Sequence, residues 1–293
     1  MFYLMVVTGL WAFSFSLIGV YLAGQVDPWF SVLMRVGLAA LVFLPFLRLA
    51  KVSKALAIQL MAIGAVQLGL MYGFYYHSFL YLSVPEVLLF TVMTPIYITL
   101  INDVFERQFH LHFLVSALLA VLGAVAIRYQ DIDSGFITGF VLVQGANLCF
   151  AIGQVSYKRV MLQQKQLQTA PIKQHHIFGW FFLGAFFVAL VSYALFGNTA
   201  QLPKSPLQWG VLVYLGIVAS GLGFFAWNKG ATLVDVGTLA VMNNVLIPAG
   251  ILVNLLIWNR DADLVRLAAG GAIILFSLWI NHYFVSTMKV VNE

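Results

Sequence analysis

Arg35 stands alone as a charged residue within a long apolar run, because residues 28–34 and 36–47 carry no charge. A guanidinium keeps its proton at physiological pH, so an arginine surrounded by hydrocarbon needs an anion, water or carbonyl oxygens. A substrate carboxylate would suit it, since guanidinium binds carboxylate through two parallel hydrogen bonds. The fixed acid Glu86, or water and lipid head groups reached by snorkelling, would serve instead. We expect Arg35 to bind substrate, with both alternatives open.

Side-chain amides in a later apolar segment form a second set of candidates. Gln144, Asn147 and Gln154 fall within about 80° of one another around a helix axis. A polar stripe on an otherwise lipid-compatible helix is expected to face the bundle interior or a cavity. The alternative is hydrogen bonding between helices without any ligand, which is a common use of amides in membranes.

Two adjacent amides, Asn243 and Asn244, lie shortly before Pro248 in another apolar segment. Proline has no N–H, so it leaves a backbone carbonyl of the preceding turn without its donor. Paired amides beside a loosened turn are well suited to hydrogen bonding with a ligand, and we expect both asparagines to bind substrate.

Aromatic residues make up 15% of the chain, and most are expected to face lipid or to lie at the membrane interface. Trp11, Tyr72, Tyr75 and Tyr76 differ because polar or small residues are next to them. Tyrosine hydroxyls can bond to a polar head group while the rings enclose an apolar ligand body. We therefore predict that these four line a binding site.

Glu86 and His77 are the candidates for carrying a proton. The sequence "SVPE", which ends at Glu86, is also typical of a capping box with Ser83 at the N-cap, and we favour the cap. Histidine is a common proton carrier in proteins, although a structural hydrogen bond would explain His77 equally well. No metal or cofactor is expected. The remaining histidines lack a third ligand at suitable spacing and are interpreted as interfacial: His110, His112, His175 and His176.

The composition indicates what surrounds these groups. The 293 residues are 62% hydrophobic and 9% charged, whereas soluble domains average about 25% charged. Such a chain cannot cover a water-exposed surface with polar groups, so its solvent must be the lipid bilayer. No basic tract indicates binding to nucleic acid.

A helix that spans the bilayer needs about 20 mostly apolar residues, and ten segments meet that test. The fold class predicted is an all-α integral membrane protein with ten transmembrane helices. A polar linker is expected at about residues 158–174. The predicted segments are Phe2–Leu22, Pro28–Leu47, Leu56–Tyr76, Val84–Val104, Leu111–Arg128, Thr138–Tyr157, His175–Phe196, Leu207–Asn228, Gly237–Trp258 and Leu264–Val285.

The halves of the chain resemble each other. Pro95 in the fourth segment corresponds to Pro248 in the ninth, and "LWAFSFS" in the first resembles "LCFAIGQ" in the sixth. Because each unit has an odd number of helices, the second copy must insert upside down. We predict inverted five-helix repeats at residues 1–130 and 131–293, a construction common in transporters. The distribution of Lys and Arg predicts that both termini are cytoplasmic.

The five-plus-five pattern, the two prolines and "NDVFERQF" after the fourth segment resemble the EamA branch of the drug/metabolite transporter superfamily. "RVGLAALVFLPFLR", "LLFTVMTPIYITLI" and "WNKGATLVDVGTLAVMNN" are most similar to members of that branch that import biotin. The resemblance implies a secondary transporter for biotin or a similar small carboxylate, working by alternating access in the bacterial inner membrane. An EamA-type transporter of amino acids or other small metabolites is the alternative.

An enzyme and a channel are the alternatives to a transporter. The sequence contains no HExxH, GxSxG, P-loop or dinucleotide-binding motif. Scattered amides and hydroxyls favour reversible binding over bond cleavage, so we expect no enzymatic activity. A channel would lack saturable uptake.

Overall fold

The computed structural model describes residues 1–48, 52–107, 122, 134–167, 173–234 and 236–258, with isolated residues between 265 and 279. Within these ranges the secondary structure is helical, without strands. In this described part of the chain, seven helices are long and apolar enough to cross a membrane. Together with a further helix they are α1 (Phe2–Tyr21), α2 (Pro28–Phe46), α3 (Lys54–Ser78), α4 (Val84–Glu106), α5 (Ser134–Leu167), α6 (Phe178–Phe196), α7 (Pro206–Ala231) and α8 (Val236–Val253, extended by Asn254–Trp258).

Each of these helices corresponds to one predicted segment, within a few residues at most ends. The predicted fifth and tenth segments, Leu111–Arg128 and Leu264–Val285, lie outside the described residues apart from isolated positions. The count of ten helices and the division at residue 130 therefore stay predictions.

The predicted linker at residues 158–174 is wrong over most of its length, because α5 continues to Leu167. Its extension, "KRVMLQQKQL", contains only residues that are compatible with a helix and mostly favour it, with neither glycine nor proline to end it. A helix of 34 residues is about 50 Å long, against about 30 Å of hydrocarbon. The polar part of α5 therefore extends beyond the membrane instead of forming a loop.

Capping residues begin several helices, as their sequences predict. The Asp27 side chain accepts a hydrogen bond from the backbone N–H of Phe30 at 2.7 Å, next to the proline that opens α2. The backbone N–H of Ser83 donates to the Glu86 carboxylate at 2.8 Å. The predicted capping box at the start of α4 is thereby confirmed.

Contacts between helix ends define the two ends of the bundle. At the end that we call the basic end, the Lys229 ammonium lies 4.8 Å from the Tyr3 ring, which joins the end of α7 to the start of α1. At the other end, the Asp27 end, the Gln208 amide donates to the Tyr21 carbonyl at 3.2 Å. Most Lys and Arg of the described part are at the basic end: Arg48, Lys54, Arg107, Lys158, Arg159, Lys165, Lys173 and Lys229.

Glycines bring α3 and α6 into backbone contact. A Cβ on Gly64 would lie 1.8 Å from the Phe181 carbonyl oxygen, so only glycine fits there. Gly69 and Gly73, one turn apart on α3, contact two different neighbouring helices. A Cβ on Gly69 would meet Val188 of α6 at 2.9 Å, and one on Gly73 would meet the Trp29 ring of α2 at 2.8 Å.

Within the described residues, three helices change locally from α to π geometry. The π segment is Ala65–Leu70 in α3, Tyr214–Leu222 in α7 and Asn254–Trp258 at the end of α8. Such segments carry wider hydrogen-bonded turns than an α-helix and occur frequently at functional sites.

Candidate functional site

A partly open cavity lies between the helices and has about 660 Å³ of empty space, its mouth included. The polar residues that line the cavity are Ser14, Arg35, Tyr72, Tyr75, Thr91, Thr94, Asn147 and Asn243. The apolar lining comprises Trp11, Phe15, Ile18, Met71, Ala146, Phe150, Phe224 and Leu246.

Arg35 lies on the buried face of α2 and is only 2% exposed. Its Nε donates to the Ser220 hydroxyl at 3.0 Å, and its two terminal nitrogens donate to the Tyr76 hydroxyl at 3.1 Å and the Tyr72 hydroxyl at 2.6 Å. The guanidinium carbon is 4.2 Å from the centre of the Tyr72 ring. Within the described residues, the partners of this cation are therefore neutral hydroxyls and aromatic rings.

Both alternatives considered for Arg35 are wrong. Snorkelling is excluded because the side chain is buried and bonded to α3 and α7. Glu86 is not its partner because that carboxylate bonds to Ser83 in the capping box.

Close packing of α7 on α2 brings Ser220 to Arg35. A Cβ on Gly216 would lie 2.8 Å from the Leu38 side chain and 3.3 Å from the Arg35 carbonyl oxygen. Glycine therefore allows the two backbones to approach. Ser220 lies about one turn further along the π segment of α7, where its hydroxyl also makes a 2.8 Å hydrogen bond with the Tyr72 hydroxyl.

A second polar wall is formed by α4 and α5. The Asn147 amide nitrogen donates to the Phe90 carbonyl at 2.9 Å and to the Gln144 side-chain oxygen at 3.2 Å. The Tyr97 hydroxyl donates to the same Gln144 oxygen at 3.3 Å. Asn147 lines the cavity, whereas Gln144 lies behind it and holds it in place.

The three amides of the predicted stripe do not all face the cavity. Gln154 is fully buried, and its side-chain oxygen accepts a hydrogen bond from the Trp227 indole at 3.0 Å. It is two turns, about 10 Å, from Asn147, so the shared helix face passes from the cavity into a packed region.

That packed region begins with an aromatic cluster on three helices: Trp11, Phe150, Phe224 and Trp227. The Trp11 ring centre lies 5.0 Å from those of both Phe224 and Trp227, and 5.9 Å from that of Phe150. The Trp11 indole donates to the Ala219 carbonyl at 2.8 Å. This aromatic layer separates the cavity from the basic end.

The paired asparagines of α8 have different surroundings. Asn243 lines the cavity, and its amide nitrogen donates to the Leu239 carbonyl at 2.8 Å. Asn244 is outside the lining, and its buried side-chain oxygen has no hydrogen-bond partner among the described residues. Helix α8 remains continuous through Pro248.

The two candidates for proton transfer lie outside the cavity lining. The His77 ring hydrogen-bonds through Nδ1 to the Gly73 carbonyl at 2.7 Å and lies 4.6 Å from the Trp29 ring. Tyr76 is likewise outside the lining. Its hydroxyl accepts a hydrogen bond from Arg35, and its ring packs edge-on against the rings of Tyr72 and Tyr75.

The histidine pair at the basic end has aromatic surroundings, with ring centres 4.1 Å apart for His175 and His176. In the described part of the chain, no group of three His, Cys, Asp or Glu side chains could hold a metal ion. His110 and His112 lie outside the described residues.

Sequence reasoning missed Ser14, Thr91, Thr94 and Ser220. Ser220 follows three small or apolar residues in "IVASGLG", where only its hydroxyl distinguishes it from packing residues. Thr94 precedes Pro95, and a hydroxyl beside a proline-disturbed turn was the available signal. The completed site combines a buried cation, hydroxyls, an oriented amide and aromatic walls, which suits reversible binding of an amphipathic anion.

Known proteins with similar sequences define the family of this chain. Residues 1–129 match the EamA-like transporter family. The chain is 53% identical over 284 residues to the biotin transporter of Salmonella typhimurium, covering 97% of this chain and 93% of that one. It is 52% identical over 284 residues to the biotin transporter of Escherichia coli K12, with the same coverage. It is 55% identical over 279 residues to a probable biotin transporter of Pseudomonas aeruginosa, covering 95% and 96%.

A crystal structure with 16% sequence identity superposes with a TM-score of 0.65 and covers 98% of this chain and 96% of that one. At this identity the likeness concerns the fold alone. Together with the apolar helices, these relationships make the chain a multi-pass membrane transporter.

Proposed function

Because the chain belongs to the EamA-like transporter family, we propose that it imports biotin across the bacterial cytoplasmic membrane by alternating access. The names of its relatives supply the substrate, and the cavity supplies an independent physical argument. Biotin has a carboxylate at one end, an apolar middle and a polar ring system that carries N–H groups.

The observation that carries the proposal is Arg35, a buried cation that lines the cavity and is surrounded by neutral hydroxyls in the described structure. Burying a charge without a counter-ion is costly, whereas a carboxylate in the cavity would neutralise it and bond to the guanidinium in bidentate fashion. Tyr72 and Ser220 would hold the guanidinium plane in place while the anion enters.

Alternating access is supported by unsatisfied amides beyond the aromatic layer. Gln67, Gln154 and Asn228 are fully buried, and each has at least one amide atom without a hydrogen-bond partner in the described part of the structure. Each such atom costs about 1–3 kcal/mol. Water would satisfy these atoms if the layer opened toward the basic end, so they favour a second conformation.

The π segments of α3 and α7 support the proposed inverted repeats of five helices. These helices correspond to the third and eighth predicted segments, which are the third member of each five-helix unit. In both, the π segment lies in the middle of the span. We propose that the basic end is cytoplasmic, as the positive-inside rule requires, with both termini on that side.

Import of a monovalent anion into a negative interior costs about 2.3 kcal/mol per 100 mV. We propose protons as the compensating cation, with His77 the better of the two candidates because Glu86 is engaged as a cap. The test is uptake into vesicles with an imposed pH gradient or membrane potential. Uptake that is indifferent to both would rule out proton symport.

The decisive experiment measures labelled biotin uptake by a biotin-auxotrophic host without its own biotin transporter that expresses this chain. We expect saturable uptake that lipoate, pantothenate and amino acids do not inhibit. Uptake inhibited by amino acids instead would favour the alternative of a transporter for other small metabolites. Linear, non-saturable entry would favour a channel.

A further inference from the structure

We infer that Asn147 determines specificity by accepting a hydrogen bond from an N–H group of the ligand, and that Gln144 and Tyr97 position it. This inference rests on the proposed function, because the ureido ring of biotin is the N–H donor. It concerns a wall of the cavity formed by α4 and α5, whereas Arg35 and its partners belong to α2, α3 and α7.

The argument begins with Pro95. Without an N–H, Pro95 cannot donate to the Thr91 carbonyl as an α-helix requires, and the chain forms a 3-10 turn at Thr91–Met93. The Thr91 carbonyl is satisfied instead by the backbone N–H of Thr94 and by the Thr94 hydroxyl at 2.7 Å. This change of register makes the Phe90 carbonyl available to a neighbouring helix, and the amides of α5 bond to it.

The orientation of Asn147 follows from these bonds. Its two N–H groups donate to the Phe90 carbonyl and to the Gln144 oxygen, so neither is left for a ligand. Gln144 is held in turn by the Tyr97 hydroxyl. The side-chain oxygen of Asn147 is therefore the atom available to the cavity, and an amide oxygen accepts hydrogen bonds but cannot donate them.

The neighbouring threonine hydroxyls also act as hydrogen-bond acceptors toward the cavity. Thr91 donates its hydroxyl proton to the Leu88 carbonyl at 2.6 Å, and Thr94 donates to the Thr91 carbonyl. Both oxygens then have lone pairs, and not protons, to offer to the cavity. A wall of acceptors matches the N–H edge of a cyclic urea or lactam and repels a carboxylate or phosphate. The ligand class is thus a monocarboxylate with an N–H donor at its far end.

The test uses biotin, biotin amide and two cyclic carbamate analogues in which a ring oxygen replaces one or the other ureido N–H. Binding to the purified full chain in lipid nanodiscs is measured by calorimetry. For the wild type we expect one carbamate to bind roughly 10- to 100-fold more weakly than biotin, since the Asn147 oxygen then faces another acceptor. If both carbamates bind as tightly as biotin, no N–H group is recognised and the inference is wrong.

Two variants assign the effect to residues. Asn147→Leu should bind biotin and that carbamate with nearly equal affinity, while its preference for biotin over biotin amide stays at the wild-type value. Tyr97→Phe should lose part of the discrimination through a less fixed Gln144, and this variant serves if Asn147→Leu does not fold. Wild-type discrimination retained in both variants would overturn the role of Asn147 without affecting the proposed function. If the wild type binds no biotin, the proposed function fails together with the inference.

Discussion

The polar groups on the two sides of the aromatic layer differ in how fully they are hydrogen-bonded. On the cavity side, Arg35, Tyr72 and Ser220 form a closed set of hydrogen bonds between 2.6 and 3.0 Å. On the side of the basic end, Gln67 has no partner for either amide atom within the described structure, although the side chain is fully buried.

The difference indicates which conformation each region serves. Hydrogen bonds on the cavity side hold a site ready to receive a ligand, so that little has to reorganise when it binds. Water that entered from the basic end would satisfy the amides beyond the layer. Under the proposed alternating access, one region would serve the conformation described here, and the other would serve its counterpart.

The largest effect is expected at Arg35. Arg35→Ala should weaken biotin binding about 100-fold or more, because a buried carboxylate loses its bidentate partner, while binding of biotin amide changes little. Arg35→Lys should also lose most of the affinity, since an ammonium has no planar fork. The control is Arg159→Lys, at the exposed ion pair with Glu106. Equal losses for acid and amide would mean that Arg35 supports the fold and not the ligand.

Removal of one ring from the aromatic layer should cause a large loss of stability. Trp227 is fully buried, and Trp227→Ala is expected to lower the free energy of unfolding by about 3–5 kcal/mol and to leave Gln154 without its indole partner. Thermal unfolding in detergent measures this. Trp209→Ala, on the same helix but 42% exposed, is the matched control and should have a small effect. A similar loss in both variants would argue against a specific layer.

Removal of the unsatisfied Gln67 amide is expected to have a smaller effect, which is an increase in stability. Gln67→Leu should raise Tm by roughly 2–8 °C, because a buried amide without partners is removed. The same change should slow biotin counterflow, since the competing conformation loses its hydrated group. Gln144→Leu, which removes a bonded amide, should instead lower Tm. A destabilising effect of Gln67→Leu as well would mean that the Gln67 amide is already satisfied in this conformation.

The smallest effect separates the two asparagines of α8. Asn243→Leu should raise the KM for uptake about five- to tenfold, as expected for the loss of one neutral hydrogen bond in the cavity. Asn244→Leu should leave the KM unchanged, because that side chain lies outside the lining. The sequence predicted both as ligands. Should the two variants raise the KM equally, the cavity would have to extend to Asn244.

Much of the fold could be predicted because it depends on local chemistry. Hydrophobicity places the spans, and Ser83 with Glu86 begins α4 in a capping box that needs only neighbours in sequence. The need of Arg35 for a partner was also evident, since no protonation change can remove its charge. The end of α5 was misplaced because polar composition was interpreted as a loop, although the same residues form helices well.

What the sequence determined by itself is thus the solvent, the described spans and the presence of an arginine that must be satisfied. Only the tertiary structure decided which groups satisfy this arginine. Ser220 reaches Arg35 across 185 positions of sequence because Gly216 lets two helices approach closely. Asn147 and Gln154 share a face of α5, yet one lines a cavity and the other bonds to Trp227. Helical periodicity sets the direction of a side chain, whereas the group that it meets depends on the packing of distant segments.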